Sequence, residues 1–248
     1  MIELLKITSL TNAHIKELAK LYDNKERNKR GLVLVEGLHL VKEAYELGIL
    51  SEVLIVNEED ALDGVTNILV TSDIIKKLSS TSTPQAILGV ARIENKKLVY
   101  GNTILILDGV SDPGNFGTIV RTATALGVAS IIVDGGIDIY NEKVVRATQG
   151  AIFKMPIVKM DLKEAILDLK KKGYLVLATS LRDAIDLEDI KEINKYALIL
   201  GNEAKGVSSD ALALCDKAIK IKMDGDMESL NVAIAGAICL YSLNNKRK

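Results

Sequence analysis

The stretch TILILDGVSDPGNFGTIVRTA, residues 103–123, decides the fold class, because it changes from a strand pattern to a helix pattern across a glycine-rich loop. The strand ends at Asp108, and the helix is predicted to start near Asn115 and to run toward Leu126-Gly127. Loops at the carboxyl ends of parallel strands bind ligands in α/β proteins, and the start of a helix favours anions. This stretch therefore predicts an α/β domain with a site for a phosphate-bearing ligand.

The segments on either side extend the same pattern. Toward the C-terminus, short β-rich runs alternate with helical segments, which predicts a parallel sheet covered by helices; the runs are Thr103–Leu107, Ser130–Val133, Tyr174–Ala178, Tyr196–Leu200 and Lys217–Ile221. The preceding part predicts a smaller α/β module, with helices at Asn12–Tyr22 and Leu38–Leu47 and strands at Leu32–Val35, Val53–Val56 and Ala86–Ala91. A polar segment at about 92–102 predicts a linker, so we expect one domain at 1–98 and another at 103–248.

Composition and charge limit the class of protein. Of the 248 residues, 48% are hydrophobic and 26% are charged, which excludes a disordered chain. The 32 basic residues nearly balance the 33 acidic ones, so no broad basic surface indicates nucleic acid. The two cysteines and two histidines are not clustered, which predicts free thiols and no metal site. The N-terminus lacks a signal-peptide pattern and Val232–Tyr241 is too short to cross a bilayer, so we expect a cytoplasmic protein with no membrane partner.

Two later segments repeat the change from a buried strand to a glycine-containing loop. LGNEAKGVS occupies 200–208, and ESLNV at 228–232 follows a strand and an acidic loop and starts a helix. Taken alone, Glu203 is typical of a solvated loop carboxylate and Ser229 of a helix N-cap. Asp134, at the end of the next strand, leaves a nucleotide-dependent oxidoreductase open, although the glycines at 109, 114 and 117 match neither G-x-G-x-x-G nor a P-loop.

The three segments, in this order, resemble the SpoU (TrmH-like) branch of the SPOUT superfamily of RNA methyltransferases. The resemblance rests on N-x-G-x-x-x-R-T-A at 115–123, L-G-N-E-x-x-G-x-S at 200–208 and E-S-L-N-V at 228–232. It extends to the first module, where Val35-Glu36-Gly37 and Thr83-Pro84-Gln85 are similar to the family's N-terminal substrate-binding domain with its ribosomal-protein-like fold. The resemblance implies a trefoil-knotted α/β catalytic domain, a homodimer formed through the knot, and methyl transfer from S-adenosyl-L-methionine to a ribose 2′-hydroxyl of RNA.

The resemblance also implies roles for individual residues. The reacting end of the site is expected to contain the catalytic set Asn115, Arg121, Glu203, Ser229 and Asn231. The cofactor is expected to lie against Thr179, Leu200, Gly201, Ile221, Met223 and Leu230, mainly through backbone groups and apolar contacts and without a metal. A guanidinium is a poor proton acceptor, so we assign Arg121 to the phosphate next to the 2′-hydroxyl. The proton then passes to that phosphate or, through water, to Glu203, and the sequence leaves both open.

The RNA contacts and the RNA class are predicted from separate features. A basic run before Gly31 predicts RNA binding by Lys25, Arg27, Lys29 and Arg30, although such a run taken alone is more typical of a solvated helix face. Lys222 stands where the family commonly has proline, which gives that loop a backbone donor and more freedom. The separate N-terminal module resembles that of the family's ribosomal RNA enzymes, which implies ribosomal RNA, with a guanosine of the large subunit as the target, over transfer RNA. A non-catalytic RNA-binding protein of the same fold is the remaining alternative.

Overall fold

A computed structural model describes residues 3–226 and 228–247. The described chain forms two compact units. One contains the chain up to Asn95 together with Asp138–Phe153, and the other contains Lys96–Ile137 and the chain from Lys154 onward. The first change of unit lies inside the segment predicted as a linker. On sequence grounds Asp138–Phe153 falls in the second domain, whereas in the structure it packs with the first unit.

The first unit is built on a five-stranded mixed sheet. Its strands are β1 (Leu4–Ile7), β2 (Leu32–Glu36), β3 (Leu50–Ile55), β4 (Thr66–Val70) and β5 (Ile87–Arg92), in the order β1-β4-β3-β5-β2. Strands β1, β4 and β3 run parallel, and β5 is antiparallel to both β3 and β2. Four helices come from the first part of the chain: α1 (Ala13–Ala19), α2 (Asn24–Arg30), α3 (Leu38–Glu46) and α4 (Ser72–Leu78).

The second unit is built on a seven-stranded parallel sheet. Its strands are β6 (Thr103–Asp108), β7 (Ser130–Asp134), β8 (Ile157–Lys159), β9 (Leu175–Thr179), β10 (Ile185–Asp186), β11 (Tyr196–Gly201) and β12 (Lys217–Lys220), in the order β10-β12-β9-β11-β6-β7-β8. Its helices are α5 (Pro113–Ala125), α8 (Leu162–Lys171), α9 (Ser209–Leu214) and α10 (Val232–Asn244). Two further helices lie between β7 and β8 in the sequence: α6 (Glu142–Thr148), which belongs to the first unit, and α7 (Ala151–Lys154), which belongs to it up to Phe153. The predicted α/β fold with a parallel sheet is confirmed.

Each unit has its own hydrophobic core. In the first, Ile15 of α1 and Ile74 of α4 pack with Leu54 and Ile68 of the sheet. In the second, every residue of β11 is buried, because parallel strands at the centre of such a sheet are covered on both faces. The continuous apolar runs that predicted these strands follow from this double burial.

The sequence pattern found the long strands and missed the short or polar ones. The five strands predicted in the second domain are present as β6, β7, β9, β11 and β12, and β2, β3 and β5 match predicted strands of the first module. Strands β8 and β10 have only 3 and 2 residues, too few to give a pattern. Strand β4 carries Asn67, which is buried and bonds the backbone of Leu62 and Val65 through its side chain. This buried amide interrupts the apolar pattern, so β4 was not predicted.

Ion pairs and hydrogen bonds explain why Asp138–Phe153 packs with the first unit. The Arg27 guanidinium pairs with the Asp138 carboxylate and donates to the backbone oxygen of Leu21 at 2.7 Å. Arg146 of α6 pairs with Glu36 at the end of β2. No sequence pattern marked these long-range pairs, which is why the segment was assigned by its position along the chain.

Neither a membrane-spanning helix nor a metal-binding cluster occurs in the described residues. Within 3–226 and 228–247, no helix is long and apolar enough to cross a membrane. The same residues contain no group of three or more histidine, cysteine, aspartate or glutamate side chains arranged to hold a metal ion. Cys215 and Cys239 are free thiols.

Candidate active site

A cavity of about 1040 Å³ lies at the carboxyl ends of β9, β11 and β12 in the second unit. Strands β11 and β6 pair with Gly201 opposite Asp108, so the loops that follow these two strands begin at the same level. This register brings the three glycine-containing segments together. Apart from Arg121 and Leu200, every residue predicted for catalysis or cofactor binding lines the cavity: Asn115, Thr179, Gly201, Glu203, Ile221, Met223, Ser229, Leu230 and Asn231.

The Glu203 carboxylate is held by donors from the loop after β6. Its Oε1 accepts hydrogen bonds from the backbone N–H of Asp112 at 3.1 Å and from Asn115 Nδ2 at 3.2 Å. Its Oε2 accepts from the backbone N–H of Ser111 at 3.4 Å and from the Ser111 hydroxyl at 3.3 Å. Glu203 therefore ties the loop after β11 to the loop after β6.

These hydrogen bonds set the protonation state of Glu203. Partial burial acts to raise the pKa of this carboxyl, but hydrogen bonds from its own backbone N–H, from Asn115 and from the backbone of Asp112 and Ser111 outweigh burial and lower the pKa below the ordinary 4.5. Donors that bond the charged form stabilise it. At neutral pH Glu203 is a carboxylate whose oxygens are already occupied, which makes it a weak proton acceptor.

The side-chain amide of Asn115 is fixed at both ends. Its Nδ2 donates to Glu203, and its Oδ1 accepts a hydrogen bond of 2.8 Å from Asn231 Nδ2. Asn231 is the N-cap of α10, and its Oδ1 accepts from the backbone N–H of Ala233 at 2.9 Å. One chain of side chains thus joins all three sequence segments.

Ser229 has a different place from the one that helix capping predicts. The alternative that Ser229 is the N-cap of this helix is wrong, because Asn231 fills that position. Ser229 is exposed and lines the cavity, and its hydroxyl has no hydrogen-bond partner within the described chain. The hydroxyl is therefore available to a ligand.

Helix α5 positions Asn115 and Arg121 differently. The helix begins at Pro113, and the Asp112 carboxylate caps it by accepting from the backbone N–H of Asn115 at 2.7 Å. Asn115 therefore projects from the first turn. Arg121 lies further along the helix, is exposed and does not line the cavity. Among the described residues it makes no ion pair or hydrogen bond, so its positive charge is free for a phosphate or for another chain.

Gly201 lines the cavity, whereas its neighbour Leu200 does not. A Cβ atom at Gly201 would lie 2.1 Å from the carbonyl carbon of Gly206, so only glycine allows the backbone of the loop to fold this closely onto β11. Leu200 is fully buried and its side chain lies against Gly236, not in the cavity. Its side chain packs in the core, so the cofactor contact expected of Leu200 stays a prediction for its backbone atoms.

The loop after β9 supplies part of the wall that the sequence did not reveal. Residues Ser180–Asp183 line the cavity, and Asp183 has a left-handed backbone conformation with φ of 49°. Their only signal in the sequence is a place directly after a parallel strand. Lys222, the departure from the family pattern, is exposed and is not among the residues that line the cavity.

The basic run in the first unit divides into exposed and internally paired residues. Lys25 and Lys29 are exposed. Arg27 is only 3% exposed and pairs with Asp138, while Arg30 pairs with Glu17 and Glu26. The expectation that Arg27 contacts RNA is corrected on this ground, because a buried guanidinium bonded inside the protein cannot reach a phosphate. Lys25 and Lys29 remain predicted RNA contacts.

Comparisons with known proteins cover both units. A model of the SpoU rRNA methylase family matches residues 102–241, and a model of the MRM3-like substrate binding domain matches residues 12–89. The 23S rRNA (guanosine(2553)-2'-O)-methyltransferase RlmP of Bacillus subtilis (strain 168) is 36% identical, over 96% of this chain and 98% of its own length.

Solved structures give the same result. An AdoMet-bound rRNA methyltransferase from Sinorhizobium meliloti is 31% identical with a TM-score of 0.88, and 98% of each chain is covered. The SpoU methyltransferase AviRb from Streptomyces viridochromogenes, in complex with AdoMet, is 25% identical with a TM-score of 0.82, covering 94% of this chain and 97% of that one. The resemblance drawn from the three segments is confirmed. The chain belongs to the SpoU rRNA methylase family.

Proposed function

We propose that the protein methylates the ribose 2′-hydroxyl of a nucleotide in ribosomal RNA, with S-adenosyl-L-methionine as the methyl donor. The observation that carries this proposal is the meeting of three loops at one cavity, joined by hydrogen bonds from Glu203 through Asn115 to Asn231. Methyl transfer requires that the nucleophile and the donor be held in one orientation. A fixed polar edge in a cavity that also has apolar walls suits that requirement.

The residues around the cavity fit the methyl donor. The donor has apolar surface and hydrogen-bonding edges, and the wall offers the side chains of Ile221, Met223 and Leu230 beside the backbone of Gly201. Glycine at position 201 lets the loop at Gly206 fold closely onto β11 and so shapes this part of the wall. We infer that these residues and Thr179 hold the donor, which supplies a methyl group on a positively charged sulfur.

We infer that Glu203 positions the reacting groups and does not accept the proton. Its lowered pKa and its occupied oxygens argue against a base that titrates near neutral pH. The other acceptor that the sequence left open, the phosphate next to the hydroxyl, is also a weak base, so it relays the proton to solvent water as the methyl group is transferred. Arg121 pairs with this phosphate and stabilises the negative charge that develops beside it.

We also propose a homodimer built around α10. This helix leaves three apolar side chains exposed, at 50% for Ile234, 39% for Ile238 and 63% for Tyr241. Their spacing of four and three residues places them on one helical face. Helix α10 packs against α5, which carries Arg121, so a second copy on this face also lies beside an arginine that has no partner within the described residues. The trefoil knot predicted for the C-terminal region belongs to the same proposal.

Ribosomal RNA is favoured over transfer RNA by the extent of the similarity. The first unit matches a substrate-binding domain, and the relative whose name gives a guanosine of 23S rRNA as its target aligns with almost the whole chain. We propose a guanosine of the large-subunit RNA as the target, and the cytoplasm as the location of the enzyme.

Methyl transfer from labelled S-adenosyl-L-methionine to separate pools of unmodified ribosomal and transfer RNA tests the proposal. We expect label in ribosomal RNA, in a nucleotide whose 3′ linkage resists alkali because the 2′-oxygen is methylated. Label in transfer RNA would overturn the RNA class alone. Binding of RNA without binding of the methyl donor would support the non-catalytic alternative.

A further inference from the structure

A second cavity, of about 220 Å³, lies in the first unit. It is formed where the start of α3, the loop between α4 and β5, and the end of α6 meet. Its polar lining consists of Glu36, His39, Ser79, Thr81, Thr83, Gln85, Arg146 and Gln149. Because a water molecule occupies about 30 Å³ in the liquid, the cavity has room for roughly seven waters, which suits one nucleobase and not a helix.

Glu36 forms a fixed anchor at this cavity. Its side chain is only 10% exposed and accepts hydrogen bonds from the hydroxyls of Ser79 at 2.5 Å, Ser80 at 2.7 Å and Tyr22 at 3.3 Å. The backbone N–H of Ser80 donates to the same carboxylate at 3.1 Å. Glu36 is therefore satisfied by the protein itself, and it holds the loop after α4 in place.

Arg146 is held on one edge and free on the other. Its Nη1 lies 3.4 Å from Glu36 Oε1 and bonds the Ser80 hydroxyl. Its Nε and Nη2 have no hydrogen-bond partner in the described ranges, and the side chain is 30% exposed. A guanidinium fixed by a carboxylate on one edge presents its remaining donors in the geometry that binds phosphate oxygens.

Gln149 stands at the end of α6 in a conformation that favours glycine. Its φ is 50°, in the left-handed region, and it caps the helix where glycine would be unstrained. The side-chain Nε2 of Gln149 donates to the backbone oxygen of Arg146 at 2.9 Å. The backbone oxygen of Gln149 lies 3.2 Å from His39 Nε2. Glycine would relieve this strain but would supply no side-chain amide to the cavity, which Gln149 lines.

We propose that this cavity binds one unpaired nucleotide of the RNA substrate, with its phosphodiester on the free edge of Arg146 and its base beside Gln85 and Gln149. Gln85 accepts from the backbone N–H of Leu38 at 2.8 Å, which fixes the amide and leaves its Nε2 as a donor. Proteins that recognise RNA sequence do so mainly on unstacked nucleotides, through hydrogen bonds to base edges. The nucleotide is a recognition nucleotide and not the methylated one, since none of the residues proposed to hold the methyl donor lines this cavity. The inference rests on the proposed function only in taking RNA as the substrate.

The test compares Arg146→Gln with Lys6→Gln in the full-length protein. Both changes remove one positive charge from the first unit, but Lys6 is an exposed residue of β1, at the opposite edge of the sheet from β2 and Glu36. For Arg146→Gln we expect the Kd and the KM for a large-subunit RNA transcript to rise about tenfold, because a charged hydrogen bond to phosphate is lost. The kcat at saturating RNA and the Kd for S-adenosyl-L-methionine stay within twofold. Equal RNA affinities for the two variants would overturn the proposal.

Two further measurements keep the inference independent of folding and of the proposed activity. Gln149→Gly removes the side chain while relieving the strained backbone, so Tm holds or rises while RNA affinity falls about threefold or more; unchanged affinity counts against the site. Filter binding measures the Kd for the same RNA even if no methyl transfer occurs. The test therefore remains valid if the proposed activity is absent. Guanosine monophosphate is the free-nucleotide probe. Binding of this probe as tight as that of RNA would make the cavity a small-molecule site and overturn the proposal.

Discussion

Replacing Gly201 with alanine tests the packing on which the larger cavity depends. The new Cβ would lie 2.1 Å from Gly206 C, whereas ordinary contacts begin at 3.4 Å, so the loop must move by about 1.3 Å (3.4 minus 2.1). Two backbone hydrogen bonds close this loop, from Asn202 N to Gly206 O at 3.0 Å and from Gly206 N to Asn202 O at 2.9 Å. Losing both costs about 2 kcal/mol, and crowding adds about 1–3 kcal/mol.

We therefore expect Gly201→Ala to lower the free energy of unfolding by about 3–5 kcal/mol, which corresponds to a fall in Tm of roughly 10 °C for a chain of this size. The displaced loop also carries Glu203 away from Ser111 and Asn115, so the affinity for S-adenosyl-L-methionine falls even below the melting temperature. Calorimetry measures both quantities, by thermal scan and by titration.

Gly225→Ala is the matched control. Gly225 lies in a neighbouring loop, its φ is not in the left-handed region, and an added Cβ there would meet nothing within 4 Å. We expect this variant to melt within about 2 °C of the native protein, since surface changes of this kind usually alter stability by less than about 0.5 kcal/mol. If Gly201→Ala melts and binds the methyl donor like Gly225→Ala, the close backbone approach is not what shapes the cavity.

Three other changes probe the site and the interface. Arg121→Ala should abolish methyl transfer while leaving the Kd for S-adenosyl-L-methionine within twofold in a titration; loss of both would make Arg121 a structural residue. Glu203→Gln should lower kcat by roughly ten- to a hundredfold without changing its pH dependence, and disappearance of an acidic limb would instead identify Glu203 as the base. Because the folded pKa of Glu203 is lowered, its contribution to stability is present above pH 4.5 and is lost as pH falls through the folded value, so Tm of this variant should decline less on acidification. Ile238→Glu should sediment as a monomer and lose methyl transfer, whereas a persistent dimer would place the interface elsewhere.

The chemistry-bearing segments were predictable because they combine a local pattern with a fixed place on a parallel sheet. Residues 103–123 specify a strand, a loop and a helix from neighbouring residues alone, and Gly201 ends the buried strand β11. The motifs do not show which of their side chains face the cavity and which face the core. Leu200 belongs to the same motif as Gly201, yet a strand alternates its faces, so its side chain packs into the core.

The remaining differences come from contacts between residues far apart in sequence. Asn231 and Ser229 are both good N-cap residues, and only the path of the loop decides that Asn231 caps α10. Arg27 sits in a basic run that reads as solvated, and its burial depends on Asp138, 111 residues further along the chain. Patterns of hydrophobicity and charge within a short window hold no information on such pairs.

The packing of Asp138–Phe153 with the first unit limits how this protein can be recombined with its relatives. A chimera joined near Asn95 would import Arg27 without Asp138 and Glu36 without Arg146. A buried arginine left without its partner costs about 3–5 kcal/mol, a large part of the stability of an ordinary domain. Exchanging the unit that matches the substrate-binding domain must therefore transplant two separate stretches of the chain at once, the part up to Asn95 and Asp138–Phe153.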